Sequence, residues 1–325
     1  MDKKLLITPV VSPLGLPSEE ELEEVWPEGV VKIHIGEWQM VPQQLRDGAP
    51  EHFHGACRRL LESLKGNTDA ILVGGTTGEG VWFWIRQYRA LLSAMKKACP
   101  PDICIMAGLL GRDDMVRDQA IAAYNSWISE TVLGLNHTGD NQTRFDNATS
   151  VFGTAERLWL YNMPTFQPAS LAFIEKCMQD QRVVGIKDSS EWTDTMRLRQ
   201  LLDLKTIRPD FQILAGNEGV YGDLQEPEFD EIDGLVSGNS NVAPELLRQF
   251  TDSPKSWDVS VKRVWLYERI SKLSRIRSAN GHIRGIENHI IGLKMALCEL
   301  GILEPRHLEL YSPKLDSLFQ VHQAT

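Results

Sequence analysis

The sequence lacks the features that suit a chain to nucleic acid or to a membrane. Its formal net charge is −10 and its pI is near 5.4, and no run of Lys or Arg could follow a phosphate backbone. No apolar stretch approaches the roughly twenty residues that a membrane-spanning helix needs. We therefore expect neither nucleic acid nor a bilayer as a partner of this protein.

Cysteine is scarce and irregularly spaced. The five cysteines include no C-x-x-C pair, and no cluster of His, Asp or Glu has metal-ligand spacing. This pattern predicts reduced thiols, most of them buried, in a cytoplasmic protein that needs no metal or other cofactor. Two lysines precede an apolar run at the start of the chain, but Pro9 and Pro13 interrupt that run, which argues against a secretion signal.

The usual glycine-rich motifs for binding nucleotides are also missing. The segment Gly74–Gly80 reads GGTTGEG, which matches neither the P-loop nor G-x-G-x-x-G. Its backbone N–H groups and two threonine hydroxyls could still cradle a small anion at a helix N-terminus. The alternative is a tight turn between a strand and a helix, with no role in binding.

What the sequence does contain is a series of short apolar runs separated by amphipathic stretches long enough for a helix. This alternation is typical of a parallel sheet covered by helices. The eight predicted strands are Leu5–Val11, Ala70–Gly75, Ile103–Gly108, Thr131–Asn136, Leu158–Asn162, Val183–Lys187, Phe211–Gly216 and Gly234–Ser237. Eight strands predict an α/β fold, a closed (β/α)8 TIM barrel over residues 1–243.

The last part of the chain, residues 244–325, has a helical pattern only. It predicts a C-terminal helical extension with long helices over Ser256–Arg277 and His282–Leu300. Before it, the acidic segment Asp223–Asp233 lacks the ligand spacing of a calcium loop, and we predict a solvated loop there.

Polar residues recur where the predicted strands end, and in a barrel these ends share one mouth. Lys187 closes an apolar strand, where partial burial would keep its amine neutral and able to attack a carbonyl carbon. The alternative is a salt bridge to a neighbour such as Asp188. Tyr161 could exchange protons with a carbonyl substrate, or it could be a half-buried strand residue before a proline turn. Among the histidines, His137 is singled out because it follows a strand end.

Four short motifs occur in the order and approximate spacing of a known family. They are GTTGE at Gly75–Glu79, YNMP at Tyr161–Pro164, GIKDSS at Gly185–Ser190 and NVAP at Asn241–Pro244. With them, the chain resembles the dihydrodipicolinate synthase/N-acetylneuraminate lyase family from about residue 69 to residue 301. The segment LLITP at residues 5–9 is similar to the first strand of that family.

The resemblance implies a class I aldolase or lyase built as a (β/α)8 barrel with a C-terminal helical extension. Such enzymes form a Schiff base between a lysine and pyruvate or a related 2-oxo acid, then make or cleave a C–C bond with an aldehyde. By motif, Lys187 corresponds to the Schiff-base lysine, Tyr161 to the proton donor and acceptor, and Thr76 to the group that passes protons to Tyr161.

The resemblance also assigns residues to the substrate pocket. Thr77 and neighbouring amides such as that of Gly78 would hold the carboxylate of the 2-oxo acid. Val236 would place a backbone carbonyl near it. The family needs no metal, because the lysine imine does the chemistry, and its members are usually homo-oligomers, so we expect a dimer or tetramer.

Three departures from the family pattern concern the second substrate and the proton relay. A tyrosine pair expected after the fourth strand is absent from LGLNHTGDNQ at Leu133–Gln142. Phe166 stands where the family has an arginine that grips the second substrate's carboxylate, so we expect a substrate without that carboxylate or one held elsewhere. The early part of the chain is longer than usual, which predicts an insertion around residues 25–50.

Two alternatives to this aldolase therefore stay open. The first is an authentic 4-hydroxy-tetrahydrodipicolinate synthase with an altered proton relay, in which His137 takes part. The second is a catalytically impaired barrel that keeps the 2-oxo-acid pocket and acts as a binding or regulatory protein.

Overall fold

The computed structural model describes residues 3–13, 51–78, 85–110, 113–135, 151, 155–162, 169–190, 195–224, 228–278 and 286–304. Several predictions fall outside these ranges. They concern the insertion around residues 25–50, the loop that carries His137, the position of Phe166 and the tail after Pro305.

Eight parallel strands close into a barrel in chain order, as the alternation of strands and helices predicts. The strands are β1 Leu5–Pro9, β2 Ala70–Val73, β3 Cys104–Leu109, β4 Glu130–Gly134, β5 Arg157–Asn162, β6 Val183–Asp188, β7 Gln212–Ala215 and β8 Gly234–Val236. Almost every strand residue is buried, because one face of the sheet packs against the helices and the other face points into the filled interior of the barrel. The (β/α)8 prediction is confirmed.

The described ranges contain ten α-helices and a short 3-10 helix, Gly238–Asn241. The α-helices are α1 Glu51–Leu64, α2 Ile85–Ala98, α3 Asp113–Asn125, α4 Leu171–Met178, α5 Thr195–Ile207, α6 Glu218–Asp223, α7 Glu228–Glu231, α8 Pro244–Asp252, α9 Trp257–Ser278 and α10 Ile286–Glu299. None of the helices in these ranges is long and apolar enough to cross a membrane.

Two smaller predictions are wrong in part. The acidic segment after α6 is not simply a solvated loop, because Glu228–Glu231 form a helical turn and Phe229 is buried on the ring of Tyr221, with 5.5 Å between ring centroids. All five cysteines are free, as predicted, but only Cys57 and Cys177 are fully buried.

The barrel closes at a seam between its first and last strands. β1 pairs with β8 in parallel register, with Leu6 opposite Leu235. Just beyond the strands, Asn241 Nδ2 donates hydrogen bonds to the carbonyls of Pro9 at 2.9 Å and Gly238 at 2.8 Å. Its Oδ1 accepts from Val11 N at 3.1 Å. One buried amide therefore holds the seam closed at the C-terminal end of the strands.

Candidate active site

Lys187 lies near the end of β6 with its side chain inside the barrel. The residue is 7% exposed, and apolar side chains such as Leu72, Trp159 and Leu214 line the same interior space. The strand register places Lys187 opposite Tyr161 of β5. Its Nζ lies 3.7 Å from the centroid of the Tyr161 ring. The two residues that the motifs assign to the chemistry are therefore in direct contact.

Tyr161 is buried, and its surroundings favour loss of the phenolic proton. Burial alone raises the pKa of this phenol, but the positive charge of Lys187 and the hydroxyls of Thr76 and Ser189 lower it by more, so the pKa lies below its ordinary value. A phenol of this kind releases and regains a proton more easily than a tyrosine in water.

Thr76 and Ser189 present two buried hydroxyls to the phenol. Each residue is 8% exposed, yet within the described part of the chain neither hydroxyl oxygen has a partner at hydrogen-bond geometry. A buried hydroxyl without a partner costs about 1–3 kcal/mol. Such groups are retained where a ligand or a water completes their hydrogen bonds.

Gly216, at the end of β7, makes room for this arrangement. A Cβ atom at this position would lie 1.9 Å from Ser189 Oγ and 2.9 Å from Lys187 Cε. Both distances are shorter than any tolerated contact, so a larger residue would displace the lysine. The Gly216 amide also donates to the carbonyl of Asp188 at 2.7 Å, which joins the ends of β6 and β7.

Asp188 turns away from Lys187 and carries a buried network outside the barrel. Its carboxylate accepts from Asn162 Nδ2 at 2.9 Å, Arg197 Nη2 at 3.0 Å and Ser190 N at 2.9 Å. The carboxylate that was a candidate salt-bridge partner for Lys187 is therefore paired with Arg197. Because Asn162 and Asp188 follow Tyr161 and Lys187, their bond fixes the register of the two reactive side chains.

The turn after β2 reaches the mouth and has the geometry of a tight turn, while its role as an anion cradle stays a prediction. Gly74 adopts a φ of +69°, the left-handed conformation of a tight turn. A Cβ at Gly78 would lie 2.6 Å from the carbonyl of Val10, so the turn packs closely on the end of β1. The side chain of Thr77 lies against Gly238, beyond β8.

Of the eight residues predicted for the site, six lie within the described ranges and cluster at the mouth. Lys187, Tyr161 and Thr76 are brought together directly, Val236 lines the same interior space as Lys187, and Thr77 and Gly78 lie in the turn beside them. Phe166 and His137 lie outside the described residues. Their proposed contact with substrate stays a prediction.

A second polar cluster at the mouth was not predicted. Glu218, at the start of α6, accepts hydrogen bonds from Ser237 Oγ and from Asn239 Nδ2, the latter at 2.9 and 3.0 Å. His289 from α10 reaches the same area, with Nε2 3.5 Å from the position of a Cβ on Gly238. Burial lowers the pKa of His289, although the Glu218 carboxylate partly opposes this.

Metal chemistry has no evident support in the described ranges, where no group of three or more His, Cys, Asp or Glu residues could hold an ion. A reaction without a metal or other cofactor stays a prediction.

Comparison with known proteins agrees with the motifs. Residues 151–309 match the family model described as the dihydrodipicolinate synthetase family. A 4-hydroxy-tetrahydrodipicolinate synthase from Hydrogenobaculum sp. is 25% identical over 259 residues, which cover 77% of this chain and 84% of that protein. A second one, from Stenotrophomonas maltophilia, is 26% identical over 226 residues, covering 64% of this chain and 70% of that protein.

Solved structures share the fold over nearly the whole chain. Dihydrodipicolinate synthase from Bacteroides thetaiotaomicron superposes with a TM-score of 0.66 at 19% identity, covering 98% of this chain and 99% of its own. The 2-keto 3-deoxygluconate aldolase from Picrophilus torridus gives a TM-score of 0.64 at 16% identity, covering 90% and 93%. At these identities the likeness establishes the barrel and no finer property.

Proposed function

We propose that this chain is a lyase of the dihydrodipicolinate synthetase family that forms a Schiff base between Lys187 and pyruvate or a related 2-oxo acid. The resulting intermediate makes or cleaves a C–C bond with an aldehyde. The observation that carries the proposal is the contact of Lys187 with Tyr161, at 3.7 Å, inside a barrel mouth with apolar walls.

The chemistry begins at Nζ of Lys187. The neutral amine attacks the carbonyl carbon C2 of the 2-oxo acid, and loss of water from the adduct leaves an iminium ion. The iminium withdraws electrons from C3, so a proton leaves C3 and an enamine forms. C3 of the enamine then attacks the aldehyde carbon, whose oxygen takes up a proton, and water releases the product and the free lysine.

Tyr161 is the group proposed to move these protons. While Lys187 or the iminium formed on it carries a positive charge, the pKa of Tyr161 is lowered, so that the phenol is a workable acid and its phenolate a workable base close to Nζ. Thr76 and Ser189 offer hydroxyls with unused hydrogen-bonding capacity beside it, and Thr76 would link Tyr161 to other proton carriers. The same hydroxyls could stabilise the alcohol of the adduct that precedes the iminium.

The carboxylate of the 2-oxo acid is assigned to the turn after β2. Backbone N–H groups around Thr77 and Gly78, together with the Thr77 hydroxyl, would bind it without a cationic side chain. Val236, whose strand β8 pairs with β1 at Ile7, would border the substrate on the other side. Holding the carboxylate in this way orients C2 toward Nζ.

Reductive trapping tests the Schiff base. The protein is incubated with pyruvate and borohydride, and intact-mass and peptide mass spectrometry locate a reduced pyruvyl group, expected on Lys187. Lys187→Ala should remove the adduct, whereas Lys262→Ala, which changes an exposed lysine paired with Asp258, should leave it unchanged. No adduct in the wild type, or an undiminished adduct in Lys187→Ala, would refute the proposal.

The names of the relatives favour one alternative, an authentic 4-hydroxy-tetrahydrodipicolinate synthase. Turnover that depends on aspartate semialdehyde would identify this activity. Turnover with other aldehydes but not with the semialdehyde would support the broader aldolase assignment. An adduct that forms without turnover of any aldehyde would instead indicate a binding or regulatory protein.

Two further parts of the proposal concern metal and assembly. Dialysis against EDTA should leave adduct formation unchanged, because the imine itself supplies the electron sink. We also propose a homo-oligomer, a dimer or tetramer, in the cytoplasm. Light scattering of the purified protein should give a mass of two or four times 36.7 kDa, and a monomer mass would contradict the assembly.

A further inference from the structure

His289 is placed at the mouth by the C-terminal extension rather than by the barrel. Its Nε2 and the Oγ1 of Thr77 lie 3.5 and 3.4 Å from the same point, the position of a Cβ on Gly238. The imidazole stacks on the ring of Tyr267, with 6.2 Å between centroids and 29° between planes. This stacking fixes the plane of the ring. Within the described ranges the imidazole has no hydrogen-bond partner.

Asn239 provides an independent sign that this part of the mouth receives a ligand. The residue is 2% exposed, and its Nδ2 is bound to the Glu218 carboxylate. Its Oδ1 has no partner within the described part of the chain. A buried carbonyl oxygen held in this way needs a donor. A hydroxyl group on a substrate would supply one.

The charge of the cluster selects against an anion. The Glu218 carboxylate lies at the centre, with Arg263 Nη1 3.9 Å away and the Arg263 guanidinium held 4.7 Å over the ring of Phe250. Arg263 is thus paired with Glu218 by charge and held by the Phe250 ring, although its Nε has no hydrogen-bond partner within the described residues. Burial lowers the pKa of His289, so near neutral pH the imidazole adds no positive charge. Among the described residues, the cation paired with Glu218 is Arg263, so a substrate carboxylate would approach Glu218 without an unpaired cation from these residues to compensate.

We propose that His289 and Asn239 bind a hydroxyl group of the second substrate, so that the C-terminal helix α10 selects an uncharged hydroxyaldehyde over a carboxylated or unsubstituted one. The proposal rests on the proposed aldolase function and names the class of its second substrate. His289 and Asn239 act as specificity-determining residues, and the bond-forming groups remain Lys187 and Tyr161.

The test compares three-carbon aldehydes that differ in their hydroxyl groups. Pyruvate-dependent kcat/KM is measured for D-glyceraldehyde and for propanal, with succinic semialdehyde as the carboxylated comparison. His289→Phe keeps an aromatic ring for stacking on Tyr267 but removes both nitrogens. His289→Gln restores a hydrogen-bonding group, and Glu299→Gln is a control at the far end of α10, where it changes only the ion pair with Arg269.

We expect the wild type to prefer D-glyceraldehyde over both other aldehydes. His289→Phe should reduce the preference over propanal on the order of 10-fold, the effect of one lost hydrogen bond. His289→Gln should recover part of it, and Glu299→Gln should keep all of it. In each variant the borohydride adduct at Lys187 should form as in the wild type, which shows that the pyruvate pocket is intact.

Several results would overturn the inference without touching the Schiff base. They are an adduct with no turnover of any aldehyde, a wild type without preference for the hydroxylated aldehyde, or an equal loss toward D-glyceraldehyde and propanal in His289→Phe. Failure of the adduct in the wild type would instead remove the proposed function and this inference together.

Discussion

Two polar clusters at opposite ends of the barrel, one around the partly buried Asp69 and one at the mouth, differ in how their hydrogen bonds are satisfied. At the N-terminal end of the strands, Asp69 accepts hydrogen bonds from Leu6 N at 2.8 Å, Lys3 Nζ at 2.6 Å and Arg248 Nη1 at 2.7 Å. At the mouth, Thr76 Oγ1, Ser189 Oγ and Asn239 Oδ1 have no partner within the described residues. The satisfied Asp69 cluster stabilises the fold, whereas the unsatisfied groups at the mouth lie where a ligand could complete them; elsewhere, Thr131 Oγ1 in β4 also lacks a partner within the described residues.

This contrast separates mutations that should affect turnover from those that should affect folding. Changes at the mouth should reduce activity and leave the free energy of unfolding nearly unchanged. Changes at the N-terminal end should do the opposite.

Removal of the Tyr161 hydroxyl should have the largest effect. Tyr161→Phe should slow turnover by on the order of 10² or more, because the enamine and the new alcohol lose their proton carrier. The unfolding midpoint should change little, since the hydroxyl alone is removed. Tyr221→Phe is the matched control: it loses a hydrogen bond to the carbonyl of Thr251, at 2.7 Å, away from the site. Equal turnover rates in Tyr161→Phe and Tyr221→Phe would show that Tyr161 is not the proton carrier.

Asp188 is an exception to this division between turnover and folding. It lies at the mouth end of the barrel, but its carboxylate is satisfied by hydrogen bonds and contributes to stability. Asp188→Ala leaves the mostly buried Arg197 without its partner, a loss that costs about 3–5 kcal/mol. Urea unfolding measures this difference. Asp210→Ala removes an exposed partner of Arg208 and should unfold at nearly the same urea concentration as the wild type. If both variants unfold at the same urea concentration, the network does not stabilise the strand ends.

Gly216→Ala should disable the site sterically. The added methyl group would overlap Ser189 Oγ and press on Lys187 Cε, and a shift of about 1 Å in a reacting group costs on the order of 10² in rate. Borohydride trapping should slow by that factor. Gly55→Ala in α1 is the control, because its Cβ would meet only Arg59 Nη1 at 3.5 Å. A normal rate of borohydride trapping in Gly216→Ala would show that the side chains of Ser189 and Lys187 can move aside and that the prediction is wrong.

Asp69→Asn should have the smallest effect. It should lower the free energy of unfolding but not the turnover rate, and only at pH values where the Asp69 carboxylate of the wild type is ionised. Burial opposes ionisation of Asp69, but Leu6 N–H, Lys3 and Arg248 outweigh it, so its pKa is lowered in the folded state. The carboxylate therefore stabilises the protein above an unfolded-state pKa of about 3.9, and this contribution disappears as pH falls through the folded-state pKa.

Urea unfolding from pH 7 down to pH 2 measures the Asp69 effect. The wild type should exceed Asp69→Asn by about 1–3 kcal/mol at pH 7, and the gap should close in acid. Asp258→Asn, at an exposed surface pair, should show almost no gap at any pH. A constant gap for Asp69→Asn would contradict the assigned pKa direction, and a loss of turnover would contradict the division between the two ends.

Much of the barrel and half of its mouth could be predicted from local patterns. The eight strands are short apolar runs, and burial on both faces makes such runs visible in the sequence. Lys187 and Tyr161 stand at the ends of two of them, so closing the barrel brings them to one place. Their contact needs only the parallel register of β5 and β6.

The other half of the mouth depends on packing that no local pattern reports. His289 looks like any histidine in a helix, and it acquires a place beside Thr77 only when α10 crosses the end of β8. Gly216 resembles a common turn glycine until Ser189 Oγ is seen in the space that its missing side chain leaves. The helical turn at Phe229 likewise forms because one aromatic side chain in an acidic segment packs on Tyr221.

The Asn241 seam has a consequence for how the chain is made. Asn241 and its acceptor, the carbonyl of Pro9, are 232 positions apart. At a translation rate of about 5–20 residues per second, β1 leaves the ribosome roughly 10–50 s before its partner β8 exists. During that interval the apolar segment Leu5–Pro9 has an unpaired edge on the side that β8 will cover. Newly made chains should therefore need protection by chaperones until the last strand emerges.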